Sequence, residues 1–121
     1  MKKKILIVDD DPRNIFALQL TLKARGFRIE TSMTAREAIE ILKSDTEIGI
    51  VLMDMMMPDM DGYTALKIIR ETPFIQNLPI VAVTAQAMQE DRQKCLDAGA
   101  QEYVKKPIDV NILLNVIEEL L

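Results

Sequence analysis

Residues 4–12 read KILIVDDDP, in which four consecutive apolar residues are followed at once by three aspartates and a proline. A short apolar run without polar alternation is typical of a parallel strand that is buried on both faces. The aspartates would then lie at the carboxyl end of that strand, where open α/β sheets place their ligands. This stretch therefore predicts the fold class and the sheet edge at which functional groups gather.

The same arrangement recurs along the chain. Three further apolar runs also end in polar residues: Ile50–Met53 in Asp54, Ile80–Val83 in Thr84, and Tyr103-Val104 in the pair Lys105-Lys106. Because parallel neighbouring strands bring their carboxyl ends to one edge, carboxylates, a hydroxyl and an ammonium would meet there. Taken singly, each of these residues has a common structural explanation as a turn, a cap or a solvated charge. Their occurrence together, with charges of complementary sign, indicates a site.

Five apolar runs near residues 4–8, 27–31, 48–53, 79–83 and 101–104 alternate with stretches of helical period. This alternation predicts an α/β fold in which a doubly wound parallel sheet of five strands is flanked by five helices. The second run carries Arg28 and Glu30 between apolar residues, which favours an edge strand. With right-handed crossovers, the best topology is the flavodoxin-like order 2-1-3-4-5. We expect residues 1–121 to form one domain.

Four predicted helices have a start signal in the sequence: Asp11 with Pro12 for the first, the capping-box pair Thr34 and Glu37 for the second, Asp61-Gly62 for the third, and Asp109 for the fifth. Gly26 marks the end of the first helix and Ala98-Gly99 the end of the fourth. The period predicts which side chains face the core: Ile15, Leu18 and Leu22 in the first helix; Ala38, Ile41 and Leu42 in the second; Ile112, Leu113, Val116, Ile117 and Leu120 in the fifth.

Composition narrows the functional classes. A net charge of -4 and a pI near 4.8 argue against a nucleic-acid surface, and the apolar stretch at residues 5–8 is too short for a membrane span. We therefore expect no direct contact with nucleic acid, no membrane insertion and a cytoplasmic location. The chain has no histidine and a single cysteine, Cys95, which excludes an internal disulfide, a zinc or haem cluster, and His-based triads. Any metal should be a hard cation held by oxygen.

Three carboxylates brought together by Asp9, Asp10 and Asp54 repel one another and would recruit a dication. Magnesium is favoured because it prefers oxygen ligands and is usually held by one or two carboxylates together with a phosphate oxygen. A carboxylate can also attack phosphorus to form an acyl phosphate. Asp54, alone at its strand end, is the candidate nucleophile, with Lys106 and Thr84 as candidate contacts to the phosphoryl oxygens.

These segments are similar to those of a known family. The chain resembles the receiver domain of two-component response regulators, a group that includes chemotaxis regulators, along its whole length. The likeness is carried by ILIVDDD at 5–11, LMDMMMPDMDG at 52–62, VTA at 83–85 and YVKKPID at 103–109. The segments NIFAL at 14–18, DMMMPDMDGY at 54–63 and TAQAM at 84–88 favour the type found in hybrid histidine kinases.

The resemblance implies a role for each site residue. Asp54 would be the phosphoacceptor, and Mg²⁺ would be bound by Asp9, Asp10, Asp54 and the main-chain carbonyl of Met56. Thr84 and Lys106 would contact the phosphoryl group. In the family the site lysine precedes a proline through a bond that is usually cis, which selects Lys106 over Lys105 and makes Pro107 a structural residue.

The resemblance also implies partners and a switch. The phosphoryl donor would be a phosphohistidine on a histidine kinase or a histidine phosphotransfer protein, and a phosphorylation-dependent homodimer is a further expectation. Tyr103 matches an aromatic residue that moves inward as Thr84 approaches the phosphoryl group, altering the face formed by the fourth helix, fifth strand and fifth helix. Met56 and Gln86, at positions that influence the phosphoryl lifetime, are not acidic, so we do not expect unusually fast loss of phosphate. The domain would promote its own phosphorylation and dephosphorylation without being a turnover enzyme.

Three alternatives remain to be weighed against this interpretation. A phosphohydrolase with an aspartyl nucleophile usually carries a second Asp two residues later, where this chain has Met56. A calcium loop around Asp59–Gly62 would place Met57 first and Ile68 where a bidentate Glu is needed. A receiver-like interaction module that is never phosphorylated is disfavoured by the acidic trio with Thr84 and Lys106.

Overall fold

The computed structural model describes residues 4–85 and 88–121, in which strands and helices alternate strictly. The elements are β1 (Lys4–Val8), α1 (Pro12–Ala24), β2 (Arg28–Ser32), α2 (Ala35–Ser44), β3 (Ile48–Asp54), α3 (Gly62–Arg70), β4 (Ile80–Thr84), α4 (Gln89–Asp97), β5 (Glu102–Lys105) and α5 (Val110–Leu120). Each predicted strand is present, with bounds that differ from the sequence-based ranges by about one residue, as expected for element ends.

The five strands form one sheet in the order β2-β1-β3-β4-β5, and every neighbouring pair is parallel. This confirms the predicted doubly wound, flavodoxin-like topology. Val8 lies opposite Met53 and Asp54 lies opposite Val83, so β1, β3 and β4 end at nearly the same level. The register therefore brings the residues that follow these strands to a common edge.

The sheet separates two apolar layers, and alternate residues of its strands face each one. Ile5 and Ile7 of β1 pack with α1 and α5, whereas Leu6 and Val8 pack with α2, α3 and the buried Cys95 of α4. Every residue of β3 is buried, as expected for a central parallel strand. The predicted edge strand β2 is exposed or half-buried at four of its five positions.

Side chains cap four of the helices at the predicted residues, but the Thr34 N–H donates to Ser32 Oγ and not to Glu37, so only half of the predicted capping box forms. Asp11, Thr34, Asp61 and Asp109 each accept a hydrogen bond from an amide N–H in the first turn of the helix that follows. Such bonds satisfy N–H groups that have no partner within the helix. After α4 the chain turns at Gly99, whose φ of 115° lies in the region that favours glycine.

Two helix faces differ from the prediction. In α2 the predicted Ala38 and Leu42 are buried, but Ile39 is buried in place of Ile41, which is half-buried at the margin of the core. In α5 Ile112 is 54% exposed and Leu114 is buried in its place. In both helices the apolar residues cover more than the buried arc, so the period alone does not decide which flanking residue faces inward.

The fourth helix is held differently from the others. Its only buried residue is Cys95, whereas α1 buries three side chains and α2 buries four. The Cys95 thiol lies 3.6 Å from the Tyr63 hydroxyl of α3, and the Lys94 ammonium lies 4.4 Å from the centre of the Tyr63 ring. Among the described residues, α4 thus contacts α3 through Cys95 and Lys94, both of which lie against Tyr63.

Arg70, at the end of α3, hydrogen-bonds to the two loops that lead into β4 and β5 at the amino edge of the sheet. Its guanidinium donates five hydrogen bonds: two to the Gly99 carbonyl, one each to the carbonyls of Gln76 and Leu78, and one to Gln101 Oε1. These contacts fix the α3–β4 and α4–β5 connections at the end of the sheet remote from the aspartates. Burial lowers the pKa of Arg70, although a guanidinium remains charged at neutral pH.

Candidate functional site

The carboxyl edge of the sheet brings together the side chains that the sequence singled out. Carboxylate oxygens of Asp9, Asp10 and Asp54 lie within 4.8 Å of one another. Lys106 reaches the same place from the connection after β5, and Thr84 ends β4 beside β3. The convergence follows from the strand order, because β1 and β3 are neighbours although their acidic residues are far apart in sequence.

Asp9 and Asp10 are adjacent in sequence but lie in different environments. Asp9 is 4% exposed, and its Oδ1 accepts the Asp11 N–H at 2.8 Å. The Asp9 main chain continues the sheet by donating its N–H to the Ser32 carbonyl. Asp10, in contrast, is exposed. One carboxylate is therefore fixed inside the site, while the other approaches it from the solvent side.

Asp54 is the most deeply set acid. It is 3% exposed, its Oδ1 accepts the Met56 N–H at 2.9 Å, and its Oδ2 faces the Lys106 ammonium at 3.3 Å. Burial raises the pKa of the Asp54 carboxyl and the neighbouring Asp9 adds to the rise, whereas the Met56 amide and Lys106 oppose it. The fold thus holds this carboxylate in an environment that disfavours its charge unless cations are close.

Lys106 is the cation that bridges the two buried acids. Its ammonium lies 3.1 Å from Asp9 Oδ2 and 3.3 Å from Asp54 Oδ2. Burial lowers the pKa of the Lys106 ammonium, but the contacts with Asp9 and Asp54 outweigh that effect and raise it overall. The Lys106 main chain donates to the Thr84 carbonyl at 2.8 Å, and the Lys106–Pro107 bond is cis, as expected.

Thr84 and Tyr103, the two predicted switch residues, lie on adjacent strands. Thr84 is fully buried at the end of β4, and Tyr103 of β5 is half-buried against the layer that contains α2, α3 and α4. Burial raises the pKa of the Tyr103 phenol. Gln86, which the sequence analysis linked to the phosphoryl lifetime, lies outside the described residues, and Met56 is 53% exposed.

The close packing behind Asp54 explains a glycine at position 62. A Cβ on Gly62 would lie 2.7 Å from the Met55 Cα and 3.0 Å from the Asp54 carbonyl oxygen. Gly62 also donates its N–H to the Met55 carbonyl at 3.2 Å. The start of α3 is therefore pressed against the loop that carries Asp54 and Met56, and this fixes the position of that loop.

The donor set fits a hard dication. The three clustered acids offer oxygen only, one of them from the solvent side, and no histidine or cysteine thiol competes because Cys95 is buried elsewhere. The buried pair Asp9 and Asp54 carries more negative charge than Lys106 neutralises, so added positive charge would be favourable there.

Sequence reasoning missed one polar residue of this site. The Asn14 amide nitrogen of α1 lies 3.5 Å from Asp9 Oδ2, and Asn14 lines a cavity of about 500 Å³ together with Asp9, Lys106 and Pro107. The sequence analysis named Asn14 only within the segment NIFAL at 14–18 and gave it no role in the site. Its position three residues after a capping aspartate, and thus in the first turn above the site, is the signal that could have indicated it.

Comparison with known proteins identifies the family. The sequence model of the response regulator receiver domain matches residues 5–118. The chain is a member of the response regulator receiver domain family. It is thus a receiver domain of the two-component type, and its fold is that of the solved receiver domains.

Individual relatives agree with this assignment. The histidine-protein kinase BarA of Escherichia coli K12 is 35% identical over 113 residues, which are 93% of this chain and 12% of BarA. An uncharacterized 14.6 kDa protein of Leptolyngbya boryana is 35% identical over 115 residues, covering 95% of this chain and 87% of that protein. This chain therefore spans nearly all of one relative and a small part of the other.

Among solved structures, the receiver domain of the sensor histidine kinase PA1611 from Pseudomonas aeruginosa is 31% identical, with a TM-score of 0.89 and coverage of 99% of this chain and 98% of that one. In that structure a magnesium ion is coordinated in the active-site cleft. In the described part of this chain, no helix has the length and apolar character needed to cross a membrane.

Proposed function

We propose that this receiver domain accepts a phosphoryl group on Asp54 from a phosphohistidine of a partner protein. The observation that carries the proposal is the Lys106 ammonium placed between the buried carboxylates of Asp9 and Asp54, at 3.1 and 3.3 Å. A lysine fixed beside a buried carboxylate supplies the positive charge that an incoming phosphoryl group requires.

In the proposed reaction, a carboxylate oxygen of Asp54 attacks phosphorus, and the bond between phosphorus and the imidazole nitrogen breaks. The imidazole leaves with the bonding electron pair and takes up a proton from solvent, while Asp54 becomes an acyl phosphate. The Met56 N–H, already bonded to Asp54 Oδ1 at 2.9 Å, holds the carboxylate in place. Lys106 and Thr84 would then contact phosphoryl oxygens.

We assign the Mg²⁺ ligands to Asp9, Asp10, Asp54 and the Met56 main-chain carbonyl. A bound Mg²⁺ would neutralise charge on the phosphoryl oxygens. Support comes from the clustering of the three carboxylates and from the magnesium ion recorded in the similar PA1611 receiver domain. Because Asp54 has two carboxylate oxygens, one can bind Mg²⁺ while the other attacks phosphorus.

The proposed signalling role adds a switch and partners. Thr84 and Tyr103 would move together after phosphorylation and alter the face formed by α4, β5 and α5, with Pro107 holding the Lys106 loop. The donor would be a histidine kinase or a histidine phosphotransfer protein, and the phosphorylated form would pair with a second copy. We further propose that residues 1–121 form a single receiver domain that acts in the cytoplasm without nucleic-acid or membrane contact and is not a turnover enzyme.

Intact mass spectrometry tests the central claim. The protein is incubated with Mg²⁺ and a small acyl phosphate, and we expect one added phosphoryl group on the wild type and none on Asp54→Asn. Asp59→Asn is the matched control, because Asp59 lies in the following loop and its exposed carboxylate pairs with Arg36. An adduct that persists in Asp54→Asn, or no adduct on the wild type at any Mg²⁺ concentration, would refute the proposal.

Adding a phosphate ester and measuring phosphate release tests the phosphohydrolase alternative. A phosphohydrolase would turn over a phosphate ester continuously, whereas a receiver domain retains one phosphoryl group per chain. Because Met56 offers no carboxylate to activate water, we expect the label to decay without unusual speed after the donor is removed. A lifetime of only seconds would contradict this expectation.

A further inference from the structure

The start of α1 makes two contacts with Asp9, one of the proposed Mg²⁺ ligands. The Asp11 N–H donates to Asp9 Oδ1 at 2.8 Å, and the Asn14 amide lies 3.5 Å from Asp9 Oδ2. The two oxygens of one buried carboxylate are thus contacted by two residues of the same short segment. The Lys106 ammonium also reaches Asp9 Oδ2, at 3.1 Å.

The local sequence explains why Asn14 is held there. Asp11 caps α1 by accepting the Arg13 N–H at 2.9 Å, and Pro12 occupies the first helical position, so the turn has little freedom. Asn14 follows within this turn, next to the buried Ile15. Its half-buried side chain and its place in the wall of the cavity with Asp9 and Lys106 show that it lies on the inner side of α1.

A carboxylate needs more than one contact to keep its orientation. Rotation about the Cβ–Cγ bond of Asp is broad, so a single hydrogen bond to one oxygen leaves the carboxylate plane poorly defined. With Asp11 on Oδ1 and Asn14 on Oδ2, the Asp9 plane is fixed from both ends. Lys106 cannot provide this by itself, because its ammonium is shared with Asp54 and sits at the end of a long flexible stem.

We propose that Asn14 is a positioning residue that orients the Asp9 carboxylate for Mg²⁺. The inference rests on the proposed function, since it assigns to Asn14 a role in the same metal-dependent phosphorylation. Residues that hydrogen-bond a metal-binding carboxylate tune its affinity, and replacing them typically weakens binding by about 10- to 100-fold. Because the contact is long and its donor is uncharged, we expect the lower end of that range, about tenfold.

The test uses two variants, Asn14→Ala and Asn14→Leu; leucine has the same number and branching of side-chain heavy atoms as asparagine but no amide. Mg²⁺ affinity is measured by calorimetry without any phosphoryl donor, and the rate of phosphorylation by an acyl phosphate is measured across Mg²⁺ concentrations. Both variants should bind Mg²⁺ about tenfold more weakly and need correspondingly more Mg²⁺ for half-maximal rate. Their rates at saturating Mg²⁺ and their unfolding free energies in chelator should stay close to the wild-type values.

Asn111→Ala is the matched control, because Asn111 is an exposed asparagine in the first turn of α5. Unchanged Mg²⁺ affinity in both Asn14 variants would overturn the inference, as would a lower saturating rate with unchanged affinity. If the wild type binds Mg²⁺ but takes no phosphoryl group, the proposed function fails while the calorimetry still decides the role of Asn14. If the wild type binds no Mg²⁺, both proposals fail.

Discussion

Replacing Lys106 with methionine would leave the two buried acids without their shared cation. Asp9 is 4% exposed and Asp54 is 3% exposed, and the ammonium that bridges them is 21% exposed on its side chain. Methionine keeps most of the aliphatic stem, so the change removes chiefly the charge and its hydrogen bonds. The predicted effect is therefore electrostatic, with little loss of packing.

The size of the effect follows from the two contacts. A hydrogen bond to a charged group contributes about 1.5–3 kcal/mol, and removing one partner of a buried ion pair typically costs about 3–5 kcal/mol. Since Lys106 is partly exposed, we expect about 3 kcal/mol, a large part of the roughly 5–15 kcal/mol that stabilises a domain. Lys105→Met is the control; its exposed side chain predicts a change within about 0.5 kcal/mol.

Urea unfolding followed by circular dichroism measures both variants, first in chelator and then in saturating Mg²⁺. Because the dication supplies the missing positive charge, we expect the deficit of Lys106→Met to shrink by at least half when Mg²⁺ is added. The reasoning would be refuted by a deficit below about 1 kcal/mol in chelator, or by an equal deficit with and without Mg²⁺.

Three further predictions follow from the site and its supports. The pKa of Asp54 is raised above its ordinary 3.8, so the free energy of unfolding falls as pH rises from that value toward the raised pKa. In chelator, Asp54→Asn should abolish this fall in stability, and identical curves of stability against pH for the variant and the wild type would contradict the prediction. Gly62→Ala places a Cβ 2.7 Å from the Met55 Cα and should cost about 1–3 kcal/mol in urea unfolding, whereas the exposed Thr64→Ala should change little; equal effects would argue against the clash. Asp109→Ala removes the acceptor of two amide N–H groups in the first turn of α5 and should lower the free energy of unfolding in urea by about 1 kcal/mol. An unchanged free energy of unfolding would show that this cap does not stabilise the domain.

Sequence reasoning was effective where a local pattern has a single structural solution. Continuous apolar runs predicted the buried central strands, and the alternating charges of Arg28 and Glu30 predicted the edge strand. The caps at Asp11 and Asp109 were visible because each residue type has a specific hydrogen-bonding role at a helix start. Once the strand order was inferred, the meeting of Asp9 and Asp54 followed from topology.

The features that were missed depend on side-chain contacts between distant elements. The exchange of Ile112 for Leu114 reflects how α5 is rotated on the sheet, which its apolar pattern does not determine. The Arg70 contacts with the Gly99 carbonyl join residues 29 positions apart and use a carbonyl that carries no sequence signature. Asn14 is likewise an ordinary helical residue until α1 is docked above Asp9.

The shallow attachment of α4 has a consequence for how this helix opens. Among its residues only Cys95 is buried, so α4 itself contributes little apolar surface to the core. The response of an opening reaction to denaturant scales with the surface it exposes. Amide hydrogen exchange in α4 should therefore be nearly independent of low urea concentrations, whereas exchange in the fully buried β3 should follow global unfolding. By this measure α4 would open as a separate unit while the sheet stays folded.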